Sequence, residues 1–158
     1  MRNKNKDPYI NDLESIKRLV NEWVKHKSLI IAYDYDNTVF DFHNKGYEFD
    51  FVIDLLRESK QYGAKFIVYS CSPDSRHDEM REYLNSNNIP FDTINKNVVE
   101  LHGGLGKLFY NIFLDDRAGL KSACSILSSA ITVMRENPQT EEEACKILKE
   151  LYGKRITC

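Results

Sequence analysis

The stretch Leu29-Ile30-Ile31-Ala32-Tyr33-Asp34-Tyr35-Asp36-Asn37-Thr38 decides how this chain is read. Leu29 to Tyr33 is short, apolar on both faces and β-branched in its middle. That pattern predicts a central strand of a parallel sheet covered on both sides. The apolar run stops at two carboxylates one residue apart, Asp34 and Asp36, followed by the Thr38 hydroxyl. Charge therefore begins at the carboxyl edge of the sheet, where open α/β sheets bind ligands. If the strand continued, alternation would point both acids the same way; if the chain loops after Asp34, both can still converge on one point. Converging carboxylates raise each other's pKa unless a cation lies between them, and a hard, oxygen-seeking ion such as Mg²⁺ fits that place. The plainer alternative is that both acids cap the next turn, a common use of Asp and Asn.

Two further apolar runs end in polar groups. Phe66-Ile67-Val68-Tyr69-Ser70 finishes in a hydroxyl, and Asn111-Ile112-Phe113-Leu114-Asp115-Asp116 finishes in paired acids, with Lys107 eight residues before Asp115. Asp34-Tyr35-Asp36-Asn37-Thr38 resembles motif I of the haloacid dehalogenase superfamily, whose members are mostly phosphohydrolases. Ser70, Lys107 and Asp115-Asp116 then resemble motifs II, III and IV, in the right order. Asp115-Asp116-Arg117 and Asn95-Lys96-Asn97 look most like small capless members of bacteria and phages, including the phosphatase half of phage polynucleotide kinases. The resemblance covers Leu29 to Leu120 and leaves the terminal helices outside.

What the resemblance implies is a Mg²⁺-dependent phosphatase that works through an aspartyl-phosphate. In that scheme Asp34 is the nucleophile and Asp36 moves the proton. Lys107 neutralises charge on nucleophile and phosphate, with Lys96 as its competitor. Ser70, Cys71 and Thr38 contact the phosphate. The metal ligands are Asp34, Asp36, Asp115 and Asp116, with the choice between Asp115 and Asp116 as direct ligand left open. Asn37 stands where a glycine is common in the family, and asparagine tolerates similar backbone angles. The implied partner is a phosphorylated substrate, either a small molecule or a nucleic-acid end. The alternatives are a polynucleotide 3′-phosphatase or nucleotidase, and a catalytically silent binding module that kept the fold.

The rest of the chain fits one α/β domain spanning 1–158. Its 158 residues suffice for a substantial core. With 42% hydrophobic and 29% charged residues the composition is that of an ordinary soluble globular protein, and a formal net charge of −2 gives no strong pull toward nucleic acid or membrane. The apolar runs are strand-sized and the first residues are polar, so a cytoplasmic protein without a spanning helix or signal peptide is expected. Cys71, Cys124, Cys145 and Cys158 lack close pairing or metal-type spacing, which favours reduced thiols.

Leu13, Ile16, Leu19, Val20, Trp23 and Val24 recur at helical spacing, predicting a helix over 11–27 with Asn11 as N-cap. A second helix is expected from Phe51 to Tyr62, stopped by Gly63. A third opens near Pro73, where a hydroxyl and free backbone N–H groups make an anion site. Ile89 to Ile94 can form a short strand, and the Leu101–Lys107 segment is a glycine-rich loop. Helices over about Leu120–Met134 and 140–152 follow, the last opened by a Thr140–Glu143 capping box. Strand–helix alternation from about 29 to 135 predicts a doubly wound, Rossmann-like, mostly parallel sheet with helices on both faces. Only Val39 to Asp50 separates the first strand from its helix, leaving room for a short flap and none for a cap domain. An uncapped site makes shielding by an oligomer partner possible.

Overall fold

The computed structural model describes residues 10–100, 106–153 and 156. Four strands form one all-parallel sheet in the order β3-β2-β1-β4. They are β1 Ile30–Asp34, β2 Lys65–Tyr69, β3 Thr93–Ile94 and β4 Ile112–Leu114. Five helices surround them: α1 Asp12–His26, α2 Asp50–Gln61, α3 His77–Ser86, α4 Leu120–Arg135 and α5 Glu141–Tyr152. This is a Rossmann-like α/β fold. Between β1 and α2 the described chain forms only turns, one isolated bridge between Asp36 and Phe40 and irregular segments, so no cap domain stands there.

β1 is central because its residues can be buried on both faces: Ile30 to Tyr33 are all buried. Ile31 and Tyr33 point to one face with Phe66 and Val68 of β2 and Leu114 of β4, as period-2 alternation and the register require. The buried apolar side chains of all five helices join that same cluster. On the opposite face Ile30, Ala32 and Ile67 are covered by Val98, Val99, Leu108 and Phe113. Among the described residues, that second layer comes from β4 and the connection between β3 and β4, where helices on both faces were expected. The crossover is rich in Asn and Gly, which disfavour a helix.

Local signals act as anticipated at most boundaries. The Asn11 side chain accepts hydrogen bonds from the N–H groups of Leu13 and Glu14 and starts α1. Thr140 accepts from the Glu143 N–H at the start of α5. Two elements differ. Pro73 leads first into a 3-10 turn, Asp74–Arg76, before α3 begins. β3 is only two residues long, because Pro90 lacks a ladder donor and its carbonyl instead accepts the buried Tyr33 hydroxyl at 3.0 Å.

The flap divides its aromatics between core and solvent. Phe40 stacks on Tyr35 and meets Tyr83 of α3 edge-on, while Phe42 and Tyr47 are exposed. Cys71 and Cys124 are free. Cys145 is in a disulfide, which corrects the expectation of reduced thiols throughout. No described helix is long and apolar enough to cross a membrane.

Candidate active site

Parallel pairing brings every strand's last residue to the same edge of the sheet. Asp34 lies opposite Tyr69 in the ladder, and Tyr33 opposite Leu114, so Asp115 begins where β4 stops. A cleft of about 170 Å³ opens at this edge, lined by Asp34, Asp36, Asn37, Tyr69, Cys71, Asp115, Asp116 and Arg117. A larger groove of about 690 Å³ runs between α2 and α4, but its lining of Phe51, Val52, Leu120, Cys124, serines and one lysine offers no cluster of reactive groups. The chemistry is in the smaller cleft.

The turn after β1 sets the spacing of the two acids. The Asn37 N–H donates to the Phe40 carbonyl at 2.8 Å, and Val39 and Phe40 both donate to the Tyr35 carbonyl. Asn37 takes φ +57, a left-handed conformation that Asn adopts more readily than most residues. The chain thus folds back immediately and carries Asp36 to the same cleft as Asp34. Thr38 is fully buried with no hydrogen-bond partner for its hydroxyl, and one Asp36 oxygen is likewise buried and unpartnered.

Charge is concentrated here. The Asp34 carboxyl is pushed from 3.8 up to about 6, first by burial and then by the nearby Asp115, with Asp116 and Asp36 adding to the effect. The Tyr35 N–H pulls the other way. Asp36 is also raised, by burial against the pull of the Arg76 guanidinium. Asp115 acts on Asp34 more strongly than Asp116 does. It also accepts the Arg117 N–H at 2.7 Å, while Asp116 is exposed.

Among the described residues no three His, Cys, Asp or Glu side chains stand together as a ready metal cluster. The acids feel one another's charge across the cleft without being drawn into one shell. Their chemistry still fits a hard divalent cation: all are oxygen donors, they oppose one another's ionisation, and one buried Asp36 oxygen lacks a partner.

Ser70 is fixed by a residue to which the sequence reading assigned no role. The Asn95 side chain accepts the Ser70 N–H at 2.9 Å and donates to the Ser70 carbonyl at 2.7 Å. The Ser70 hydroxyl accepts the Ser72 N–H, and Ser72 in turn accepts from Arg76. Cys71 lines the cleft and is exposed. Lys107 and Lys96 are both exposed, and neither lines the cleft. The cations at the cleft are Arg117 in its wall and Arg76, whose charge reaches Asp36. Most of the glycine-rich loop, 101–105, lies outside the described residues. His43 is exposed on the flap.

No family model matches the chain, and no curated protein matches it. A conserved protein from Bacteroides thetaiotaomicron has a similar solved structure, with a TM-score of 0.53 and 26% identity, covering 70% of this chain and 93% of that one. The likeness supports the α/β fold.

Proposed function

We propose that this protein is a Mg²⁺-dependent phosphatase of the haloacid dehalogenase type, hydrolysing phosphate monoesters through a covalent aspartyl-phosphate. The observation that carries the reading is the Asp34 carboxyl, half-buried at the end of the central strand. It shares one cleft with Asp36, Asp115 and Asp116, and its proton affinity is raised by burial first and then by these acids. Such a crowd of acids calls for a cation and leaves one carboxylate placed for attack. Asp34, Asp36 and Asp115 would hold Mg²⁺, with Asp116 at its margin; when bound, the ion supplies the positive charge that offsets the acids and the phosphate.

The chain's own residues carry the bonds. An Asp34 oxygen attacks phosphorus as the ester P–O bond breaks, and Asp36 gives its proton to the leaving oxygen. Asp36 then takes a proton from a water, which attacks phosphorus and frees Asp34 and inorganic phosphate. Ser70, held by Asn95, and the following N–H groups receive the phosphoryl oxygens. Lys107 is exposed in the connection that leads into β4 and does not line the cleft, so charge neutralisation falls to Arg117 in the cleft wall and to Arg76, whose charge reaches Asp36.

The test is turnover of p-nitrophenyl phosphate with Mg²⁺ and with EDTA, for wild type and Asp34→Asn. Activity that needs Mg²⁺ and is lost in Asp34→Asn is expected. Turnover persisting in EDTA, or undiminished in the variant, overturns the mechanism. A folded wild type inactive on every phosphate ester tried would favour a silent binding module.

A further inference from the structure

We propose that Tyr69 is a stacking platform beside the nucleophile, and that the natural substrate is a phosphate monoester whose leaving group carries an aromatic ring. The inference rests on the phosphatase reading above and names the substrate class for the same cleft. Tyr69 and Asp34 are ladder partners on adjacent parallel strands. Partners in a parallel ladder point to the same face, and their Cα atoms lie about 5 Å apart across the sheet. The tyrosine ring therefore stands directly beside the carboxylate that would attack phosphorus, and it lines the same cleft.

Its environment suits a ligand better than a core. The three preceding residues of β2 are buried, yet Tyr69 remains 45% exposed. Its ring meets Phe113 edge to face, with centroids 5.5 Å apart at 79°. Phe113 is in turn backed by Tyr110 at 5.4 Å. A T-shaped contact fixes the ring's orientation and leaves at least one of its faces uncovered by Phe113, π surface open to an incoming ring. Among the described residues, Tyr69 is also the single large apolar group in a wall otherwise made of acids, an amide, a thiol and a guanidinium. A polar leaving group such as glycerol would gain little from it, whereas an aryl group or a nucleobase would bury its face there.

The experiment compares kcat/KM for glycerol 3-phosphate, phenyl phosphate, and adenosine 3′- and 5′-monophosphates, in wild type, Tyr69→Ala and Tyr69→Phe, with unchanged circular dichroism as the fold control. Losing a stacking partner corresponds to a factor of about 5 to 150. Tyr69→Ala is expected to lose that factor on ring-bearing esters while changing glycerol phosphate less than about twofold, and Tyr69→Phe is expected to restore it. Preference for phenyl phosphate or for the nucleotides then assigns the ring's source. Equal losses on all esters, or none, overturn the platform. A wild type that hydrolyses no ester refutes the phosphatase reading instead. The platform is then judged by NMR of the Asp34→Asn protein. Tyr69 ring signals that shift with adenosine monophosphate and not with glycerol phosphate sustain it, and signals that shift with neither reject it.

Discussion

Asp34 holds the clearest consequence at the level of single residues. A carboxyl whose pKa rises from 3.8 to about 6 on folding binds its proton more tightly in the native state. Stability then falls as pH climbs from about 4 to about 6, and the full penalty persists above that window. Asp34→Asn removes the penalty. In EDTA the variant is expected to melt above wild type at pH 7.5, with the gap closing toward pH 4. Because the group is half-exposed the gain is held to about 1 kcal/mol, or about 2–4 °C. Differential scanning calorimetry across that pH range checks it, and a variant less stable than wild type at pH 7.5 contradicts the electrostatic account. Adding Mg²⁺ should raise the wild-type melting temperature and leave Asp34→Asn unmoved, since ligands that bind only the native state stabilise it. Asp36→Asn should differ again: if Asp36 reaches the ion through its main-chain carbonyl, which the substitution leaves in place, the Mg²⁺ response is kept while turnover falls by about 10²–10⁴, the usual worth of proton transfer. The acids were legible in the sequence because a strand that stops at a charge announces its own edge. Tyr69 and Asn95 were not. Their roles depend on which strands are neighbours, and pairing of Asp34 with Tyr69 or of Ser70 with Asn95 leaves no trace in local spacing.

Among the elements, the join between α2 and β2 is the most constrained. Gly63 takes φ +80, and a Cβ there would lie 2.8 Å from the Lys27 carbonyl oxygen. The Ser28 hydroxyl and the Trp23 indole donate to the Gly63 and Tyr62 carbonyls, tying this corner to the end of α1 and the residues just beyond. Gly63→Ala therefore meets backbone strain and a backbone clash together. It should destabilise by more than about 1 kcal/mol, a loss of at least about 3 °C. A melting temperature within 1 °C of wild type, on a scale where about 2–4 °C marks 1 kcal/mol, would show that the corner yields. The glycine was readable as a helix stop from its position after an apolar helical pattern. The helices in general were, because their faces repeat every three to four residues. The cover of the second sheet face was not readable in that way: Val98, Val99 and Leu108 sit in irregular backbone without a period. Lys107 suffers from the same lack. Its spacing to Asp115 marked it, yet spacing along an irregular connection does not determine where a side chain stands, and it is exposed outside the cleft.

On the scale of the whole molecule, the site lies at one rim of a four-stranded sheet with a flap of turns beside it and no described element folded over it. Lids exclude water and strengthen fixed charges around a reacting group. Here that shielding has to come from the substrate or from a second subunit. The exposed Phe42 and Tyr47 on the flap offer apolar surface to either. The two sources make opposite predictions about size. If the substrate covers the site, an aryl phosphate bearing a long polymer tail on its leaving group should be turned over with kcat/KM within about tenfold of the untailed ester, because no lid must close. If a partner subunit covers it, the tail should be excluded, and dilution below the dimer's dissociation range should lower specific activity. We favour coverage by the substrate, since the cleft wall itself holds a large, partly exposed aromatic side chain, Tyr69. Measuring both esters across a protein dilution series tests this. A drop of more than about a hundredfold for the tailed ester, with activity that falls on dilution, would assign the shielding to a second copy of the chain.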